Sequence, residues 1–214
     1  ELLGKFAEPE KVEDVDVHTI LRDVEEKVLG KLDFGFEPEV LSVLSNPEAS
    51  QKEIEALKGK MSPEILAKVV DIANSAYFGT LKKGKAKSFY DAVLTLGMKH
   101  AEILIIYAAL FIMAKGKEAE LILAKSFARY VLGGYVYAND LGLSKEATYK
   151  VELGCLFMDI GRIVFHLYKT RYEEDYNRLG INDELIDKCH HQMGIKLCQL
   201  FHIPDDLIKI IFHR

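Results

Sequence analysis

The residues best suited to chemistry are one aspartate and three histidines in the second half of the chain: Asp159, His190, His191 and His213. Histidine and carboxylate side chains together bind divalent metal ions, and a bound metal turns water into a nucleophile near neutral pH. Adjacent helical residues point about 100° apart, so we expect the imidazoles of His190 and His191 to diverge. His213 could join one of them only through tertiary folding. Surface or capping histidines are therefore favoured over a metal site, and we predict no cofactor.

Asp159 itself has two interpretations. It can cap the neighbouring backbone or pair with a basic side chain such as Arg162, three positions further on. Alternatively, it lines a binding pocket. The chain has no histidine between His100 and His166, so the helix upstream of Asp159 supplies no imidazole that could complete a metal site with it. A single carboxylate does not make a catalytic metal centre.

A second polar group follows a predicted helix and consists of Asn74, Ser75, Tyr77 and Phe78. The structural interpretation is a helix C-terminus, where asparagine tolerates left-handed geometry and its amide ties down the adjoining loop. The functional interpretation is a recognition surface or a pocket for a small effector. The two do not exclude each other.

Lysines follow this group, beginning with Lys82 and Lys83. Such a run is usually a solvated loop, although its charge could attract an acidic protein or a nucleotide phosphate. The whole chain has a net charge of −5 and a pI near 5.8. This acidic balance argues against nucleic-acid binding, including a single-stranded mode that would use the lysines and nearby tyrosines.

Other catalytic signatures are missing from the sequence. It has no GxSxG elbow, no phosphate-binding GxxxxGK[ST] loop and no GxGxxG after a strand. The three cysteines, Cys155, Cys189 and Cys198, have no CxxC spacing and lie among apolar helical residues, which indicates reduced thiols in or near the core.

The elements that position these residues are predicted to be helices. Apolar residues recur at helical spacing, and no sustained alternating run calls for a sheet, so the fold class is all-α. Glu53 completes a capping box with the serine three positions before it, and Pro63 suits the first turn of a helix. Gly133 and Gly134 lie within a helix and favour close helix packing. Serines are predicted to cap four helices: Ser50, Ser62, Ser88 and Ser144.

The predicted organisation has an N-terminal helical extension over 1–34, a first lobe over 35–116 and a second lobe over 117–214. The longest apolar run, from Ile103 to Ala114, has about twelve residues, whereas a bilayer crossing needs roughly twenty. The residues from Glu1 to Glu10 are mixed and charged, unlike a signal peptide. We therefore expect a cytoplasmic protein that does not act at a membrane.

Several of these motifs resemble the HDOD domain family. Ser62-Pro63, followed by the stretch from Ala73 to Gly79, is similar to that family's helix start and its Asn-Ser-Ala helix end. Ala92-Val93 and Leu96-Gly97 resemble the next helix and its Leu-Gly end.

The second half carries the resemblance further. Leu153 to Gly161 is similar to the GLLHDIG stretch of HD-domain phosphohydrolases and their HDOD relatives, with Met158 in place of the histidine. The resemblance covers roughly 35–214. A final group of residues is similar to the pattern of the family's C-terminal lobe: His190, Gly194, Leu197, Phe201, Ile203 and Pro204.

The resemblance implies a multi-helix HD-like bundle in two lobes, with the second lobe a degenerate HD domain. HDOD proteins are generally regarded as relatives that lost the metal ligands, so it implies a non-catalytic regulatory module of bacterial signal transduction. Such a module would act by binding a protein partner or a small effector such as a nucleotide. The alternative is a metal-dependent phosphohydrolase or cyclic-dinucleotide phosphodiesterase with non-standard ligands.

Overall fold

The computed structural model describes residues 16–75, 78 and 85–212. Within these residues the chain is helical, and its only β-type pairing is an isolated bridge between Phe36 and Met61. The predicted all-α class is confirmed. The α-helices are α1 (Val17–Lys27), α2 (Glu39–Ser45), α3 (Gln51–Ala56), α4 (Pro63–Ala73), α5 (Phe89–Leu96), α6 (Met98–Met113), α7 (Lys117–Asp140), α8 (Lys145–Phe157), α9 (Gly161–Arg171), α10 (Glu173–Arg178), α11 (Asp183–Leu200) and α12 (Asp205–Phe212), with 3₁₀ turns at Leu29–Lys31 and Leu57–Lys60.

Local sequence signals set the helix starts as predicted. The Ser50 side chain accepts a hydrogen bond from the Glu53 amide, and the Glu53 carboxylate accepts one from the Ser50 amide, which completes the capping box. Ser88 forms a second capping box with Asp91. Ser62 and Ser144 also cap their helices through the side chain, so all four predicted caps are confirmed.

A single cluster of buried apolar side chains runs through the described helices. Helix α6 lies at its centre, with every residue from Ile103 to Leu110 buried, and packs against α2, α4 and α5. Helices α7 and α8 form a tightly packed pair, and α9 packs along α11. The predicted division of the chain at residues 34 and 116 stays a prediction.

Two glycines allow helices to approach closely. A Cβ on Gly133 in α7 would lie 2.8 Å from the Cys155 sulfur on α8, which confirms the predicted packing role of that glycine. A Cβ on Gly161 would lie 1.7 Å from the His190 carbonyl oxygen, so the start of α9 almost touches the backbone of α11. This contact places the turn that carries Asp159 against α11.

Helix α1 packs on α9 and α11. Its Lys27 ammonium lies 2.6 Å from an Asp175 carboxylate oxygen, and the Tyr172 hydroxyl donates to the Lys27 carbonyl over 3.2 Å. The N-terminal helix therefore belongs to the packed structure rather than lying apart from it.

Among the described residues, no single helix is both long and apolar enough to cross a bilayer. Helices α5 and α6 would reach that length only together, and they meet at a bend of 119°.

Candidate binding site

Asp159 lies in the turn between α8 and α9, where two arginines meet its carboxylate. The Arg129 Nη2 atom is 2.7 Å from Asp159 Oδ2, and the Arg162 Nε atom is 3.9 Å from Oδ1. The predicted contact with Arg162 is confirmed. Arg129, the closer partner, comes from α7 and was missed, because no local spacing connects it with Asp159.

Asp159 and its two arginines form one end of a cleft between α7 and α9, which we call the Asp159 cleft. Its volume is about 490 Å³, within the usual range for small-molecule sites. Helices α10 and α11 close the third side. The lining residues are Glu118, Leu121, Ile122, Lys125, Arg129, Asp159, Arg162, Phe165, His166, Lys169, Tyr176, Asp183, Ile186 and Asp187.

The rim of the cleft carries ion pairs of a more exposed kind. Arg162 donates to the Asp187 carboxylate, whose side chain is 61% exposed. The Glu118 side chain is 56% exposed. Its carboxylate accepts a hydrogen bond from the Lys169 ammonium over 3.4 Å and lies 3.5 Å from His166 Nδ1. Pairs between exposed side chains contribute little to stability, typically about 0 to 1 kcal/mol. The rim carboxylates are therefore weakly held. The Arg129–Asp159 pair is less exposed, at 35% and 27%.

His190 is buried beside the cleft and does not line it. Burial lowers its pKa to about 4, so the imidazole is neutral at physiological pH. Its ring centroid lies 4.1 Å from that of His191, so the prediction that the two imidazoles diverge was wrong. Ring planes tilted by 58° let adjacent side chains touch despite their different directions around the helix.

A metal-binding cluster is not found in the described part of the chain: no group of three or more His, Cys, Asp or Glu side chains could hold a metal ion there. His213 lies outside the described residues. The cysteines at 155, 189 and 198 are free thiols, as predicted, and burial raises the pKa of each.

Asn74 and the residues that follow it up to Phe78, here called the Asn74 corner, connect the end of α4 to the loop before α5. The Asn74 side chain donates to the Ala86 carbonyl over 3.0 Å and accepts from the Ala86 amide over 2.8 Å. The predicted tie to the adjoining loop is confirmed. The backbone of Asn74 has φ −89° and ψ 0°, so its amide reaches the loop without the left-handed geometry that asparagine tolerates.

Two described neighbours of Asn74 have side-chain groups that are buried, the Phe78 ring and the Ser75 hydroxyl. Phe78 is 3% exposed and packs near the rings of His100 and Tyr130, with centroids 6.4 and 6.3 Å away. Ser75 Oγ is buried, with no hydrogen-bond partner among the described residues. The candidates Tyr77, Lys82 and Lys83 lie outside the described residues. None of the described corner residues lines the Asp159 cleft, so the structure separates the two candidate sites.

Comparisons with known proteins agree with this architecture. The HDOD domain family matches residues 37–214, so the chain belongs to the HDOD family. The fold is similar to that of a candidate metal-dependent phosphohydrolase from Shewanella amazonensis SB2B, with a TM-score of 0.64 and 16% identity over 91% of this chain and 72% of that one. It is also similar to an HDOD domain protein of unknown function from Geobacter sulfurreducens, with a TM-score of 0.58 and 19% identity over 92% and 70% of the two chains. No curated protein matches the sequence.

Proposed function

We propose that this HDOD protein is a non-catalytic regulatory module of bacterial signalling, acting in the cytoplasm by binding a protein partner or a small effector. The observation that carries the proposal is the ion pair of 2.7 Å between Arg129 and Asp159. In HD-domain hydrolases the corresponding aspartate holds a metal ion. Here that carboxylate already has a permanent positive charge beside it.

The residues around Asp159 do not fit a divalent metal. An arginine keeps its proton at every physiological pH, so it cannot act as a ligand, and two guanidinium groups next to the carboxylate repel a cation. Met158 stands where the HD histidine would be, and a thioether is a soft ligand that suits neither Mg²⁺ nor Mn²⁺. A cleft with this chemistry is suited to binding rather than to activating water.

The alternative is a phosphohydrolase with relocated ligands. Two observations favour it: the Shewanella neighbour is described as a candidate metal-dependent phosphohydrolase, and three other acidic side chains line the cleft, those of Glu118, Asp183 and Asp187. A hydrolase of this kind would still need Asp159, since the other carboxylates lie at the rim or on α11.

A hydrolysis assay separates the two functions. We expect purified protein with added Mn²⁺ or Mg²⁺ to cleave bis(p-nitrophenyl) phosphate no faster than an Asp159→Asn variant does. Asp71→Asn is the matched control, because Asp71 is exposed on α4 and does not line the cleft. Turnover that disappears in Asp159→Asn and persists in Asp71→Asn would establish the hydrolase and overturn the proposal.

A further inference from the structure

Four cationic side chains and four carboxylates line the Asp159 cleft: Lys125, Arg129, Arg162 and Lys169, and Glu118, Asp159, Asp183 and Asp187. Their charges balance, but three of the cations are grouped at the end of the cleft that holds Asp159. Resting on the proposed binding function, we propose that this cleft binds a small phosphorylated molecule, with Lys125, Arg129 and Arg162 holding its phosphate. The ligand is recognised by its phosphate group and seated against the apolar part of the cleft.

The two arginines converge from different helices. Arg129 on α7 and Arg162 on α9 both reach the Asp159 carboxylate, at 2.7 and 3.9 Å, so their guanidinium groups lie close together at one end of the cleft. A planar guanidinium offers several donors in a fixed fork, which suits phosphate oxygens. Asp159 pairs closely with Arg129, whereas the Arg162 guanidinium donates to Asp187 and has only a longer contact with Asp159.

Lys125 adds a third cation on the same side. It lies one helical turn before Arg129, on the same face of α7, and its side chain is exposed. It makes no ion pair with any residue that the structure describes. An ammonium group in this position is available to a ligand without the loss of an existing contact.

The rim carboxylates decide which anion fits. Asp187 is the exposed partner of Arg162, and Glu118 is the exposed partner of Lys169. A ligand with a single carboxylate would displace Asp187 or Glu118 with a group of the same charge, so it would gain little binding energy. A phosphate carries about −1.5 to −2 charges and three acceptor oxygens, so it can displace Asp187 and still pair with Lys125.

The remaining wall accommodates an organic body. Ile122, Phe165 and Ile186 line the cleft together with Tyr176, whose ring lies 5.7 Å from the Lys169 ammonium. The volume of about 490 Å³ exceeds what a bare phosphate would fill. The cleft therefore combines three grouped cationic side chains with an apolar side, and both are features that suit a phosphorylated metabolite or nucleotide.

Calorimetric titration with pyrophosphate tests the proposal on the purified chain at an ionic strength of about 0.1 M, at which exposed charges more than about 10 Å apart are largely screened. We expect Lys125→Gln to weaken binding by about fivefold, because one cation is lost. We expect Asp187→Asn to tighten binding by about threefold or more, because the competing carboxylate is gone. Acetate should produce no binding heat at the same concentrations.

Matched controls come from an ion pair in the first half of the chain. Lys60 and Glu37 lie 3.0 Å apart, in segments that contribute no residue to the cleft. Lys60→Gln and Glu37→Gln repeat the same changes of net charge and should leave pyrophosphate affinity within about twofold of the parent, since exposed charges far from the cleft are screened by salt. Thermal unfolding of each variant confirms that it is folded.

Three results would overturn the inference: no binding to folded Asp187→Asn at millimolar pyrophosphate, equal affinity of Lys125→Gln and the parent, or equal changes in the Lys60 and Glu37 controls. Any of these three results, when no Asp159-dependent hydrolysis is detected, rules out the phosphate ligand but not the proposed binding function. Asp159-dependent hydrolysis would rule out the proposed function itself, whatever the affinity for pyrophosphate.

Discussion

Replacing Gly161 with alanine should destabilise the fold by about 3 kcal/mol, the upper part of the range for overpacked positions. A Cβ there would lie 1.7 Å from the His190 carbonyl oxygen and 2.7 Å from the Gly194 amide nitrogen. Both atoms belong to the backbone of α11, so no side chain can rotate away and the two helices must separate. Chemical denaturation of the purified variant measures the loss of unfolding free energy.

Gly154→Ala is the control for this prediction. Gly154 lies in α8 with no atom within 4 Å of its added Cβ. Alanine is the better helix former, so this variant should gain about 0.5 to 1 kcal/mol. A loss below about 1 kcal/mol in Gly161→Ala would contradict the close approach of α9 and α11.

Replacing Asn74 with alanine should cost about 2 to 3 kcal/mol of unfolding free energy, since it removes two hydrogen bonds at once. The Ala86 amide and carbonyl both bond to the Asn74 side chain, and Ala86 is buried, so the variant leaves two backbone groups without partners in a poorly hydrated place. Denaturant unfolding gives the cost, and hydrogen exchange should show faster exchange at the Ala86 amide.

The control for this second prediction is Asn46→Ala. Asn46 accepts one hydrogen bond, from the Glu48 amide, and is exposed at the end of α2. Water can replace that bond, so the change should cost less than about 1 kcal/mol. Equal losses in the two variants would show that Asn74 is an ordinary helix end rather than the tie between α4 and the loop before α5.

Contacts within one helix turn were predictable from the sequence, whereas contacts between helices were not. The capping of α3 by Ser50 and Glu53 depends on three residues of spacing, and so does the approach of Arg162 to Asp159. The Arg129 contact depends on how α7 lies against α8 and the turn that follows it, which in turn depends on packing at positions such as Gly133. A sequence pattern gives no distance between such helices.

The candidate site shows the same division. Asp159 was recognisable from its motif, but the rim residues Glu118, Lys125 and Asp187 come from two helices and share no pattern. A weak signal existed for Lys125 and Arg129. They are four residues apart, so both lie on one face of a helix. The Asn74 corner was predicted as a loop tie from the chemistry of its amide, and Phe78 proved to be buried because its ring packs near His100 and Tyr130.

The most direct test of the central claim is the metal content of the protein, measured by elemental analysis after purification without chelator and after incubation with Mn²⁺ and desalting. If Arg129 stands where a hydrolase would hold its ion, the protein should retain no stoichiometric metal. The metal content of Asp159→Asn should then be the same as that of the parent. Retention of about one metal ion per chain that is lost in Asp159→Asn would contradict the account, because it would require the carboxylate to leave Arg129 for the ion.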